Sequence, residues 1–125
     1  MEPIIPPVSI HLLEEELTRE RFVRYSSRGE NKLFDVNAHE APNTMREIGR
    51  LREIAFRAAG GGTGYASDID SYDVSPETPY RQHEVWDPKR KEILGGYRYI
   101  IGAGIRPQNL ATYPIFSFSD NFVNN

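Results

Sequence analysis

There is no cysteine among the 125 residues, which excludes disulfides, thiolate metal sites and a cysteine nucleophile. Long apolar runs are missing too, since nothing approaches the roughly 20 residues that a bilayer-crossing helix requires. Charge of one sign is not in excess. Fifteen basic residues stand against 18 acidic ones, for a net charge of -3 and a pI near 5.6. The basic footprint of a nucleic-acid binder is therefore absent, and no nucleic-acid partner is expected. The three histidines, His11, His39 and His83, are widely spaced, with no His-x-x-x-His pattern, so neither a metal site nor a catalytic triad is supported. Met1 to Pro7 shows no basic region followed by an apolar stretch and a cleavage site. A secretory signal is thus not visible, and a cytoplasmic location is the default expectation.

What is present suits one soluble α+β domain over residues 1–125 with a single core: 38% hydrophobic and 26% charged residues. Residues 1–8 read as an extended arm, because the prolines at 3, 6 and 7 fix their own φ and bias their predecessors away from helix. Ile10, Leu13 and Leu17 recur at helical spacing, and Thr18 offers a cap for a second short helical piece through Arg24. Lys32 to Ala38, flanked by Gly29 and Pro42, predicts a strand. A longer helix follows, capped by Asn43 or Thr44, with Thr44 and Glu47 in a capping-box pattern and Met45, Ile48, Leu51, Ala55 and Ala58 as its apolar stripe. It stops at Gly60-Gly61-Gly62. Tyr65 to Tyr80, rich in acids and serines, reads as a loop. Gln82 to Trp86 and Glu92 to Ile101 are β-rich and joined by Asp87-Pro88 turn chemistry, which predicts an antiparallel hairpin. Ala111 to Phe118 is a further candidate strand, with Pro114 placing it near an edge or bulge.

Chemistry is concentrated in a few positions. Arg52 and Phe56 are four residues apart and emerge from nearly one helix face. Arg52 alone is more often part of a solvated surface, as Arg46, Arg50, Glu53 and Arg57 around it read, with Glu53 and Arg57 placed for an i,i+4 pair. Asp68, Asp70 and Asp73 bring three carboxylates within six positions, an arrangement that needs nearby cations or solvent screening. They fit an amine substrate or pocket arginines, and equally an exposed acidic loop; the EF-hand pattern of a calcium site is absent. On the second hairpin strand Ile93, Tyr97, Tyr99 and Ile101 share one face, with Leu94, Arg98 and Ile100 opposite. Arg98 on a half-buried strand requires a carboxylate, and the loop acids are the supply, whether for function or for structure. Gly95-Gly96 permits close approach of a backbone or ligand, or marks a bulge. Gly60 to Gly64 ends a helix instead of opening one and lacks the Gly-Lys-Ser/Thr ending, so a phosphate loop is disfavoured. Trp86 reads as core.

The order Leu51-Arg52-x-x-x-Phe56, Asp68-x-Asp70-x-x-Asp73, Tyr80 and Gly95-x-x-Arg98 resembles acyl-homoserine lactone synthases and the related acyltransferases that make N-acylated amino acids and amino-acid lipids. Met45 through Gly64 is similar to the hemolysin-labelled bacterial members of that group. The resemblance spans roughly residues 34–122 and implies the N-terminal half of a GNAT fold, with helices on a mainly antiparallel sheet. It implies Asp68, Asp70 and Asp73 as the groups that hold and help deprotonate an acceptor amine, with Arg52, Phe56 and Arg98 as substrate-binding residues and no metal. Its co-substrate would be an acyl-carrier-protein or coenzyme A thioester, its acceptor an amino acid or amino-acid lipid precursor. Two features depart from the pattern. Asp68 stands where lactone synthases carry a longer glutamate, and the donor-gripping Gln/Arg-x-x-Gly-x-Gly/Ala turn is not found. The chain alone is therefore expected to bind no cofactor and to be inactive. A long-chain acyl product would bring the intact protein to the inner membrane periphery, and an open sheet edge would favour a homodimer. The rival expectation is a binding or regulatory module that keeps the half-fold without chemistry. A membrane-lytic function lacks any basic amphipathic helix to support it.

Overall fold

The computed structural model describes residues 1–26 and 29–100, and the backbone of residues 116–117. The elements run α1 (Ile10–Glu16), a single 3-10 turn (Arg19–Arg21), β1 (Phe22–Tyr25), β2 (Lys32–Val36), α2 (Pro42–Ala58), β3 (Arg81–Asp87), β4 (Glu92–Tyr99) and the short β5 (Phe116–Ser117). The strands form one sheet in chain order, every neighbour antiparallel. Both helices pack on one face of it, which makes an α+β fold consistent with half of a GNAT acyltransferase. Among the described residues no helix is long and apolar enough to cross a membrane.

The core lies between the sheet and the helices. Phe34, Val36, Trp86 and Ile93 meet Leu13 of α1, Met45 and Ile48 of α2, and Val8 from the end of the arm. Trp86 is core, as expected. The arm itself runs beside the segment after α2: the Glu2 and Ile5 amides donate to the Gly64 and Ala66 carbonyls (2.8 and 3.1 Å).

Several expectations meet a different outcome. The second helical piece stops at Arg21, and Phe22–Tyr25 is strand. Phe22, Arg24 and Tyr25 pair with β2, and the Phe22 ring packs on Phe34 at 5.9 Å. The capping box of α2 does not form. Pro42 takes the first helical position, so the helix starts earlier than Thr44, and the first-turn amides of Asn43 and Thr44, which have no carbonyl partner within the helix, are met by the Glu16 carboxylate of α1 (3.0 and 2.6 Å). An anion at a helix N-terminus is favourable on both hydrogen-bonding and dipole grounds. Glu47 instead receives the Val8 amide and the Arg50 guanidinium.

The hairpin turn forms as expected, with Asp87 Oδ1 accepting the Lys89 and Arg90 amides. The strand faces are a correction. The register shifts between Val85 and Trp86, so Trp86 pairs with Ile93 while Val85 pairs with Gly95, and Leu94 is the extra residue. A bulge reverses the alternation. Ile93 therefore faces the helices with Trp86, on the same side as Arg98, and does not share a face with Tyr97 and Tyr99. Of the candidate strand at Ala111 to Phe118, Phe116–Ser117 pairs with Gly95 and Gly96 of β4; the remainder, and Ile101, lie outside the described residues.

Candidate functional site

The helix-facing side of the sheet turns from apolar to charged along α2. Its first half buries Met45 and Ile48, but its second half buries Arg52 and Glu53, at 2% and 0% exposure. Neither belongs to a solvated surface, contrary to the bland reading of that stretch. The Glu53–Arg57 pair is present at 2.6 Å. Glu53 also accepts the Thr63 amide (2.9 Å), the Thr63 hydroxyl (2.7 Å) and the Gly64 amide (3.0 Å). These bonds close the turn beyond α2, where Gly60 and Gly62 take φ of 90° and 99°, a region that glycine enters without strain. The Thr63 hydroxyl, against burial and with the Thr63 amide, Arg57 and Gly64 assisting, holds the Glu53 carboxyl down to about 2.

The turn sends the chain back along α2 as the acidic loop. Its docking depends on Gly49, where an added Cβ would lie 2.5 Å from Ile69 Cγ1. The Asp68 amide donates to the Gly49 carbonyl at 2.9 Å.

Arg52, Arg98, Asp70 and Asp73 then converge. Asp73 is completely buried, and both its oxygens are occupied: Oδ2 accepts Arg52 Nη1 (3.0 Å) and the Asp70 amide (3.0 Å), while Oδ1 accepts Gln82 Nε2 (3.0 Å) and Arg98 Nη1 (3.3 Å). Arg52 also donates to Gln82 Oε1 at 2.6 Å and to the Asp68 carbonyl at 3.5 Å. Arg98 Nη1 contacts both oxygens of Asp70, at 2.7 and 2.8 Å, and its guanidinium lies 5.6 and 5.3 Å from the Tyr72 and Tyr80 ring centres. The expected supply of carboxylates to Arg98 is thus in place.

The three aspartates have different surroundings. Asp73 is walled in. The Asp70 side chain keeps 37% exposure beside a 3% exposed Arg98. Burial pushes the Asp70 carboxyl up, but the hydrogen bonds and charge of Arg98, with the Asp73 and Tyr72 amides, outweigh it and hold the group below the usual carboxylate range. Asp68 is half-buried, and its backbone, not its carboxylate, is tied into the network. Burial raises its carboxyl above the ordinary range, with Arg52 opposing and the other acids adding. Phe56 sits one turn beyond Arg52, half-buried, its carbonyl accepting the Ala59 and Gly61 amides. Among the described residues there is no group of three metal-ligating side chains.

Sequence reasoning missed Gln82 and Glu84, which are 0% and 2% exposed on the helix-facing side of β3. Their signal was the period of two through Gln82, Glu84 and Trp86, which places two polar side chains on the face that carries the core tryptophan.

The fold and site together define an α+β half-sheet whose buried arginine–aspartate cluster carries an acidic loop. Over 128 aligned residues and 98% of its length, the chain is 53% identical to a glycine N(alpha)-acyltransferase of Bacteroides thetaiotaomicron, covering 38% of that protein. It is 48% identical to a glycine N(alpha)-acyltransferase of Phocaeicola vulgatus over 98% of the chain and 39% of the relative. The chain thus spans under two fifths of the length of the curated relatives it matches. No family model matches the chain, and no solved structure matches it.

Proposed function

We propose that the protein to which this chain belongs is an N-acyltransferase, and that these residues form its acceptor side. The nitrogen of a primary amine attacks the carbonyl carbon of an acyl thioester; the C–N bond forms, the C–S bond breaks, and the sulfur takes the displaced electron pair and, by way of solvent, a proton in exchange for the one nitrogen loses, leaving as thiol. An ammonium must lose a proton before it can attack. The observation that carries this reading is the division among the three carboxylates. Asp70, held ionised by Arg98 and open to solvent, suits an ammonium anchor. Asp68, half-buried and raised by that burial, suits a proton acceptor. Neighbouring acids whose environments push their titrations apart are the usual basis for separate roles. Asp73, Arg52 and Gln82 are positioning residues that fix the loop, and Phe56 walls the acceptor site.

The relatives named glycine N(alpha)-acyltransferase support an amino-acid acceptor, with glycine the first to test. The donor is proposed to be an acyl-carrier-protein or coenzyme A thioester, gripped by the part of the relatives' length that this chain does not span. The hemolysin-labelled acyltransferases that make amino-acid lipids are a class to which the protein is proposed to belong. The test is acyl transfer by the full-length protein, with both thioester types and a panel of amines including glycine, run beside Asp70→Asn. N-acyl product from wild type and a much raised amine KM in the variant are expected. Equal KM values would remove Asp70 from acceptor binding, and absence of product with every donor and amine would sink the reading.

A further inference from the structure

Glu84 is a buried acid that the proposed reaction does not use. It is 2% exposed, and neither carboxyl oxygen has a hydrogen-bond partner among the described residues. The register sets it between Phe34 of β2 and Gly96 of β4, with Gln82 and Trp86 on either side along β3. Gly96 makes room for it, because a Cβ there would overlap the Glu84 carboxyl and the His83 carbonyl. The charged groups around it are Arg52 from α2, Asp73 from the loop and, on the diagonal from β4, Arg98. β2 contributes the Phe34 ring and β3 the Gln82 amide. A carboxylate in such a place, with no donor on either oxygen, is strongly disfavoured, and such groups neutralise instead. Burial accordingly pushes the Glu84 carboxyl well above the usual range, with Arg52 opposing and Asp73 adding. The charge count agrees: Arg52 and Arg98 are already balanced by Asp70 and Asp73.

We infer that neutral Glu84 is a positioning residue of the acceptor site: by remaining uncharged it leaves Arg52 committed to Asp73 and Gln82, and so keeps the loop that carries Asp68 and Asp70 in place. Ionised, it would be a third carboxylate beside two guanidiniums. It would then draw Arg52 from Asp73 and loosen the loop. The link to transfer rests on the acceptor-site reading above, whereas the charge coupling does not.

Carboxyl 13C NMR of the chain, labelled at Asp and Glu, tests the coupling directly. The Glu84 signal should titrate well above the ordinary carboxylate range. When it titrates, the Asp73 and Asp70 signals should move at the same midpoint, and that movement should be absent in Glu84→Gln. In the full-length protein, the wild-type amine KM, taken relative to Glu84→Gln, should rise about tenfold per pH unit above that midpoint, as the competent protonated form thins. Glu84→Ala should raise KM at every pH, with Glu84→Gln restoring it near neutrality. A Glu84 signal that titrates with the exposed glutamates, aspartate signals that ignore its titration, or coincident pH profiles for wild type and Glu84→Gln would each overturn the inference. Absence of transfer in all proteins, with the NMR coupling present, would sink the acyl-transfer reading and leave the charge coupling of Glu84 to the loop standing.

Discussion

Asp73 and Asp70 are three residues apart and bond the same guanidinium, yet one is sealed and the other reaches solvent. Removing Asp73 would take a carboxylate from each of two buried arginines, Arg52 and Arg98, and the cost of breaking a buried pair is dominated by the charge left behind. Asp73→Ala is expected to destabilise the fold by about 3–5 kcal/mol, read by urea denaturation. Asp70→Ala, partly exposed, should cost clearly less. The presence of this cluster was legible in the sequence: three acids in six positions demanded cations, and Arg98 on a half-buried strand demanded an acid. Which acid would be buried was not legible. That is decided by the docking of Ile69 against Gly49 and by the amides that turn toward Asp70, and neither leaves a mark in spacing. For Arg52, spacing alone favours the solvated reading, for a related reason. A helix with arginines at 46, 50, 52 and 57 looks solvated all round until the loop folds over the side that carries Arg52.

At the scale of elements, α2 is held by contacts from outside its own sequence. Glu16 of α1 supplies the cap that Thr44 and Glu47 were expected to make between themselves. Glu16→Ala should cost about 1 kcal/mol, the usual value of a lost N-cap, measured as a fall in denaturation midpoint with an unchanged slope. Gly49→Ala drives a Cβ into Ile69. Overpacking of this kind costs roughly 1–3 kcal/mol, and because Ile69 lies between Asp68 and Asp70 the variant should also lower transfer. Helix and hairpin were readable from period and turn chemistry. The strand phase was not, since one residue inserted at Leu94 reverses every face before it, and a bulge carries no sequence signal beyond the neighbouring glycines.

Over the whole molecule, the arm, the glycine turn and the loop are tied to α2 largely through carboxylates, so acid should release them together. Glu53 is the clearest case. Its carboxyl is held at about 2 in the fold against an ordinary value of 4.5, so its contribution is fully present above pH 4.5 and is lost as pH falls toward 2. Thermal melts between those pH values should show a steep loss of stability in wild type and a shallower one in Glu53→Gln. The account's central claim, that Asp68 takes the proton while Asp70 holds the amine, is tested most directly by the pH dependence of kcat for acyl transfer in Asp68→Asn beside wild type. A raised Asp68 must be ionised to act, so wild-type kcat should climb through an acidic limb that the variant lacks, with kcat lower by about 10²- to 10⁴-fold on the plateau, the usual weight of a general base. A variant with the wild-type limb and the wild-type plateau would contradict it.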